Sequence, residues 1–363
     1  MKKILNKLFL VTALIISILI SCNSKENKTG DDFMIGADIS VLKKVEDYGG
    51  TYTWRGEERE ALEIFTENGY NYARLRLFHT PNMRGPVCNS LEYTIELSKQ
   101  VKAAGMKLML NFHYSDTWAD PQKQFKPKAW EGLPFNILTD SVYQYSFDVI
   151  KAMGAAGVLP DIVQVGNEIT PGMIWPDGLI HKEDGEDWES FTTLLKAGIK
   201  GVREAYGENE VPVMIHIDKG GDLDATAYFF HKIEGYGVEY EQIGLSYYPW
   251  WHGTFDELEK NLEWLSKNKE QDIVLVETAY YANGYYPEPG GWIVDVQPFP
   301  PTEQGQYDFL VKMHEIARKY PKVKGLFYWE PEGILAEGSE LYYLGRSLFD
   351  KEGNALKGIE AFR

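Results

Sequence analysis

Short β-rich runs alternate eight times with longer segments along this 363-residue chain, and few folds accept that rhythm. The runs occupy residues 34–38, 72–78, 107–113, 162–168, 213–218, 243–248, 273–277 and 325–330. Several of the intervening segments carry apolar stripes at helical period: Leu138, Val142, Tyr145 and Val149; Phe191, Leu194, Leu195, Ile199 and Val202; Phe255, Leu258, Leu262 and Leu265. Gly69 and Gly105 stand where a helix must stop before the next strand. Parallel strands need a helical crossover between them, so eight strand–helix repeats predict an α/β fold, a (β/α)8 TIM barrel forming a single catalytic domain. An open doubly wound sheet is the structural alternative.

The first 32 residues stand apart from this rhythm. Lys2, Lys3 and Lys7 precede an apolar run over residues 8–20 that is too short for a comfortable membrane span. The run closes on Leu19-Ile20-Ser21-Cys22, which resembles a bacterial lipobox. Residues 1–21 therefore read as a lipoprotein signal peptide, and Cys22 as the lipidated first residue of the mature chain. Residues 22–32 read as a flexible tether, and residues 33–363 as the folded domain. The expectation is a secreted lipoprotein of the bacterial cell envelope, tied by acyl chains to the outer membrane at the cell surface. Cys88, the other cysteine, then has no disulfide partner.

A formal net charge of −17 repels phosphate backbones, which argues against nucleic acid as a partner and against a polyanionic glycan. A neutral substrate suits it better. Aromatic residues make up 14% of the chain, with 10 Trp and 23 Tyr. Composition alone fits a large core; the sharper reading is a groove walled by flat faces.

Barrels of this kind carry their active sites at the C-terminal ends of the strands. The eight runs end in Asp38, Arg74 with Arg76, Asn111 with His113, Asn167 with Glu168, His216 with Asp218, Tyr247 with Tyr248, Glu277, and Trp329 with Glu330. Two carboxylates stand out, Glu168 on the fourth run and Glu277 on the seventh. Cleaving a glycosidic bond with retention needs one carboxylic acid to protonate the leaving oxygen. A second carboxylate, roughly 5–5.5 Å away, attacks the anomeric carbon. Glu168 is the expected general acid/base and Glu277 the nucleophile. Arg74 is the candidate for holding Glu277 ionised, and Asn167 for binding a sugar hydroxyl. His113, His216 and His252 lie on different elements without metal-site spacing, so no catalytic metal is expected.

The segments Gly36-Ala37-Asp38-Ile39-Ser40, Asp116-Thr117-Trp118-Ala119-Asp120-Pro121, Gly166-Asn167-Glu168-Ile169, Ser246-Tyr247-Tyr248-Pro249-Trp250, Val276-Glu277-Thr278 and Tyr328-Trp329-Glu330-Pro331 follow in order across the domain. Together they resemble glycoside hydrolase family 53, the endo-β-1,4-galactanases. Gly-Asn-Glu is shared across a whole clan of barrel glycosidases. The Asp-Thr-Trp-Ala-Asp-Pro and Ser-Tyr-Tyr-Pro segments are much more specific. The resemblance implies Glu168 as acid/base, Glu277 as nucleophile, and Arg74 and Asn167 as supports. It implies unbranched β-1,4-galactan, the pectic side chain of type I arabinogalactan, as the polysaccharide partner, cut internally. Trp329 is then the floor of the cleaved-sugar subsite, and the segment from Asp116 to Asp120 shapes a cleft wall. His113, Asp116, Trp118, His216, Tyr247 and Trp250 join Arg74, Asn167 and Trp329 as expected substrate-binding residues.

Two departures bear on this expectation. Phe78 stands where the family often has Trp, which points to an altered distal subsite. Many bacterial members carry a structural calcium after the seventh strand, but here residues 280–305 scatter Glu288, Asp295 and Glu303. Calcium takes six to eight oxygen ligands, so no calcium is expected and no cofactor is required. A monomer is expected. The open alternatives are another glycanase of the clan, a mannanase or glucanase, or a surface glycan-binding lipoprotein that no longer catalyses.

Overall fold

The computed structural model of the protein describes residues 33–284, 296–343 and 345–363. Eight parallel strands close into a barrel: β1 (Met34–Asp38), β2 (Tyr72–Leu77), β3 (Lys107–Phe112), β4 (Ile162–Val165), β5 (Val213–Ile217), β6 (Gln242–Ser246), β7 (Asp272–Thr278) and β8 (Val323–Trp329). Each pairs with its neighbours in sequence, and β8 pairs back onto β1, with Asp38 level with Trp329 on one side and Arg74 on the other. Helices α1 (Ala61–Glu67), α2 (Leu91–Ala103), α3 (Phe135–Ala155), α4 (Trp188–Tyr206), α5 (Leu223–Gly235), α6 (Phe255–Asn268) and α7 (Glu303–Lys319) follow the first seven strands in turn. The chain is the expected (β/α)8 barrel and not the open sheet.

The apolar stripes read from the sequence are the buried faces. On α4, Phe191, Leu194, Leu195, Ile199 and Val202 are all buried, as are Leu258, Leu262 and Leu265 on α6. Caps fix the helix starts: Thr254 and Glu257 form a reciprocal capping box on α6, and the side chains of Ser90, Asp187 and Asp222 cap α2, α4 and α5. Gly69 and Gly105 both adopt positive φ, +91° and +78°, at the helix exits.

Two boundaries differ from the sequence reading. No eighth α-helix follows β8 among the described residues; a 3-10 turn, Lys357–Glu360, occupies that place. The preceding stretch holds Pro331, Gly333, Gly338, Gly345 and Gly353, and no apolar stripe of helical period crosses it. The fourth run is strand only to Val165. Gly166 turns out at φ +85° and Glu168 sits at φ +48°, a left-handed backbone uncommon for a residue with a Cβ and concentrated at functional sites. The strand ends early because the chain bends to aim Glu168.

The barrel interior is layered. Met34, Tyr72, Met109, Ile162, Met214, Val274, Val276 and Phe327 form one buried apolar cluster. Toward the C-terminal ends the interior changes character, and Arg74, Asn111, Gln164 and His216 are all buried there. The apolar cluster is tightly filled: a Cβ built on Gly36 falls 2.0 Å from the Phe327 ring. Gly36→Ala should therefore destabilise the protein by about 1–3 kcal/mol through overpacking, read as a lowered melting temperature. Adding Phe327→Leu should recover part of the loss. A Gly36→Ala protein as stable as wild type would show that the interior has slack the packing does not reveal.

Candidate active site

Arg74 leaves β2 pointing into the barrel and is buried in the layer above the apolar cluster. A buried guanidinium needs partners for its five N–H donors, and the surrounding strands supply them. Nη1 lies 2.7 Å from Asp38 Oδ2 on β1 and 2.7 Å from Glu277 Oε1 on β7. Nε donates to Gln164 Oε1 on β4 at 3.1 Å, and Nη2 to Asn167 Oδ1 just beyond β4 at 2.9 Å. One side chain thus ties four strand ends together.

Glu277 receives a second donor on its other oxygen, the Tyr248 hydroxyl at 3.1 Å. Glu168 stands opposite. Its Oε1 accepts the Ser246 hydroxyl at 2.7 Å, and the same hydroxyl lies 3.5 Å from Glu277 Oε2. An oxygen of each carboxylate lies within 4.8 Å of one on the other. That separation belongs to the close class in which one carboxylate can attack while the other delivers a proton.

The two carboxyls differ in surroundings. Burial is the largest influence on Glu168, and the neighbouring charges of Glu277 and Asp218 add to it, so its pKa is pushed well above the ordinary 4.5. Burial also raises Glu277, but Arg74 and the Tyr248 hydroxyl pull it back down. Desolvation outweighs the ion pair, so Glu277 stays above the ordinary range even beside Arg74. What the arrangement secures is an order within one coupled pair: the first proton leaves from the Arg74 side, and the last stays with Glu168.

The surrounding histidines stay neutral. Burial and the Arg74 charge hold His113 and His216 well below 6.5, and burial brings His252 down to about 4. A carboxyl is left as the proton donor in this site.

Around the pair opens a cavity of about 400 Å³. Of the residues expected to act here, Arg74, His113, Trp118, Asn167, Glu168, Glu277 and Trp329 line it. Trp118 covers the Arg76 guanidinium, 4.1 Å from ring centre, and meets Trp329 edge-on at 6.1 Å; Arg346 lies 4.8 Å over Trp329. Asn167 is more committed than its expected sugar contact suggests. Its Oδ1 accepts from Arg74 and Asn111, and one amide hydrogen goes to Ala119 O, which leaves the other for a sugar.

Four expected contact residues stand outside the cavity wall. Both Asp116 oxygens accept backbone N–H groups, from Thr80 at 3.0 Å and Lys128 at 2.9 Å, so it pins loops together. His216 lies beneath the site and reaches it through Ser246, 2.8 Å from Nε2. Tyr247 is fully buried and donates to Gly253 O, and Trp250 is fully buried against Tyr281. In each of the last two doublets the following residue, Tyr248 or Trp251, faces the cavity. The strand ends at Ser246, and Trp250 and Trp251 belong to a short helix, Pro249–His252, so strand alternation does not tell the members apart. Phe78 lies under the wall, edge-on to His113 and Trp118, and does not form a subsite. Gln164 and Ser246 also belong to the site, and their sequence signal is a lone polar residue within an apolar run. Among the described residues, Glu168, His216 and Glu277 are one trio with possible metal-ligand atoms within 4.8 Å of each other. Both His216 nitrogens and Glu277 are already engaged with protein groups, so a cation there would have to displace Ser246 and compete with Arg74. Residues 285–295, including Glu288 and Asp295 of the calcium expectation, lie outside the described residues, as do Cys22 and residues 1–32.

Comparison with known proteins adds the following. The model of glycosyl hydrolase family 53 matches residues 34–362. The arabinogalactan endo-β-1,4-galactanase A of Aspergillus niger is 33% identical over 306 residues, 82% of this chain and 85% of its own. The arabinogalactan endo-β-1,4-galactanase of Cellvibrio japonicus is 30% identical over 98% of this chain and 96% of its own. Among solved structures, the GH53 catalytic domain of Ignisphaera aggregans superposes with a TM-score of 0.83 at 31% identity, covering 93% of this chain and 97% of that one.

The Arg74 hub generates a stability prediction. Arg74→Met leaves Asp38 and Glu277 buried without their shared cation, a loss of about 3–5 kcal/mol when both are ionised. Without the cation the folded pKa of Glu277, which Arg74 pulls down, rises. A carboxyl with a raised folded pKa opposes folding increasingly as pH climbs through the unfolded value. The drop in melting temperature relative to wild type should therefore be larger at pH 7 than at pH 4. An equal drop at both would show that Arg74 acts by packing alone.

Proposed function

The chain belongs to glycosyl hydrolase family 53, and on that footing we propose that it is an endo-β-1,4-galactanase that cuts internal linkages with retention at the anomeric carbon. Glu168 is the general acid/base and Glu277 the nucleophile. The observation that carries the reading is the pair of carboxylates at the ends of β4 and β7, with oxygens within 4.8 Å, inside an aromatic-walled cavity.

The chemistry proceeds in two displacements. Glu277, ionised beside Arg74, attacks the anomeric carbon, and the bond to the leaving oxygen breaks as Glu168 delivers its proton to it. The sugar is then held as an ester on Glu277. Glu168, now a carboxylate, takes a proton from water; the water oxygen attacks the same carbon and Glu277 departs. The order of titration serves both steps, since Glu277 must be charged while Glu168 is not. Arg74 and Tyr248 give Glu277 two donors that support the carboxylate as it leaves.

The substrate is β-1,4-galactan, the side chain of type I arabinogalactan. Support for it comes from the activities named for the relatives and from a chain charge that suits a neutral polymer. Trp118 and Trp329 offer flat faces on which sugar rings stack. Cys22 is the proposed lipid anchor after removal of a signal peptide over residues 1–21, with the enzyme at the outer membrane, on the cell surface, where a polymer too large to enter is met. The motif at Leu19-Ile20-Ser21-Cys22 supports this. Cys22→Ala should abolish incorporation of labelled palmitate and move the protein out of the membrane fraction; label retained in the variant would end the anchor assignment.

Product profiles on galactan, mannan and glucan test the substrate, with galactan alone expected to give short oligosaccharides. Turnover on galactan should show both limbs of its pH profile above 4.5. The acidic limb falls as Glu277 takes up its proton, and the alkaline limb falls as Glu168 loses its own. Glu168→Gln and Glu277→Gln should each lower kcat on galactan by about 10²-fold or more. Galactan turnover surviving in Glu277→Gln contradicts the nucleophile assignment.

A further inference from the structure

Ser246 lies at the end of β6, fully buried beneath the carboxylate pair, and the two displacements described above do not use it. Its hydroxyl has three polar neighbours: His216 Nε2 at 2.8 Å, Glu168 Oε1 at 2.7 Å and Glu277 Oε2 at 3.5 Å. A hydroxyl has one proton to give, so where that proton goes depends on the state of His216.

The network behind His216 settles its tautomer. Arg74 Nε can only donate, so the Gln164 oxygen faces it at 3.1 Å and the Gln164 Nε2 faces the other way, where its two hydrogens meet Asn111 Oδ1 at 2.7 Å and Gly166 O at 2.9 Å, with His216 Nδ1 a third neighbour at 3.0 Å. The backbone N–H of Glu168 also points at Nδ1, at 3.4 Å. Asn167 Oδ1, the one acceptor near Nδ1 among the described residues, is 3.2 Å away and already filled by donors from Arg74 at 2.9 Å and Asn111 at 3.0 Å. The Glu168 N–H, which is always a donor, against an acceptor already filled makes Nδ1 the acceptor. In a neutral imidazole the proton is then on Nε2, and it is given to Ser246 Oγ. The serine proton turns to the nearer carboxylate oxygen, Glu168 Oε1.

We propose that Ser246, oriented by His216, is a positioning residue that decides which oxygen of Glu168 carries the catalytic proton. With Oε1 occupied as an acceptor, the proton is confined to Oε2. Among the described residues Oε1 is the only carboxylate oxygen of Glu168 given a hydrogen bond. When Glu168 is neutral, Oε1 serves as its carbonyl-like oxygen and still accepts from Ser246. When it is ionised, as it must be to activate water, the same bond holds the carboxylate in place. Ser246 therefore holds one geometry through both displacements, seated between His216 and the acid that works with Glu277. The inference rests on Glu168 being the general acid.

The test separates alignment of the acid from general damage by varying the leaving group. Ser246→Ala, Ser246→Thr and Glu168→Gln are assayed for kcat/KM on galactan and on a galactobioside bearing a dinitrophenolate leaving group, which departs without a proton. Removing general acid catalysis costs 10²–10⁴-fold, and misaligning the acid loses part of that, so Ser246→Ala should lose roughly 10–100-fold on galactan. On the activated substrate it should lose less than about threefold, and Ser246→Thr should restore most of the galactan rate. Melting curves establish that the variants are folded; if the threonine does not fit, the substrate split in Ser246→Ala decides alone. An equal loss on both substrates, or no loss on galactan, overturns the positioning role. Glu168→Gln reports separately: if it too loses equally on both, the acid assignment itself fails, whatever Ser246 does.

Discussion

A single buried guanidinium organises the catalytic end of this barrel. Arg74 meets Asp38, Gln164, Asn167 and Glu277 at 2.7–3.1 Å, and those four partners come from β1, β4 and β7. A charge in that position is unfavourable unless every donor is satisfied, and satisfying it fixes the ends of the strands relative to each other. The carboxylate spacing is a consequence. Glu277 is pulled toward Arg74, Glu168 is turned in by the left-handed backbone after Gly166, and the Ser246 hydroxyl fills the gap between them.

The same hub creates the electrostatic asymmetry on which the chemistry depends. Two carboxyls this close and this buried both resist ionisation, and neither has an ordinary pKa. Arg74 touches one and not the other. That difference, more than any lowering below the usual range, separates a nucleophile from an acid here. Neutral histidines on the far side keep the balance from shifting, since a protonated His216 would supply Glu168 with the cation that Glu277 alone now has.

Much of the architecture was legible in the sequence because barrels announce themselves by period. Strand runs, helical stripes and the glycines at helix exits each follow from local chemistry, and the strands of the barrel fall where the runs do. Glu168, Glu277, Arg74, Asn167, His113 and Trp329 were readable as cavity-lining because polar and aromatic residues closing apolar strands gather at one end, and Trp118 through the segment that resembles the family. What escaped has definite causes. Tyr248 and Trp251 could not be told from Tyr247 and Trp250, since β6 ends at Ser246 and a short helix, Pro249–His252, follows. Asp116 looked like a cleft residue in a family motif, but its acceptors serve the backbone of two loops. Gln164 within β4 and Ser246 closing β6 carry a sequence signal in their lone polarity, but only the closure of the barrel shows that they meet Arg74 and Glu168.

The central claim is that Glu277 becomes covalently bound to the sugar. Incubation with a 2-fluoro-substituted galactobiosyl fluoride, which slows the second displacement more than it slows formation of the ester, should yield one added disaccharide by intact mass. Peptide mapping should place it on Glu277. An adduct on another residue, or no adduct together with product released in the inverted anomeric form, contradicts the account.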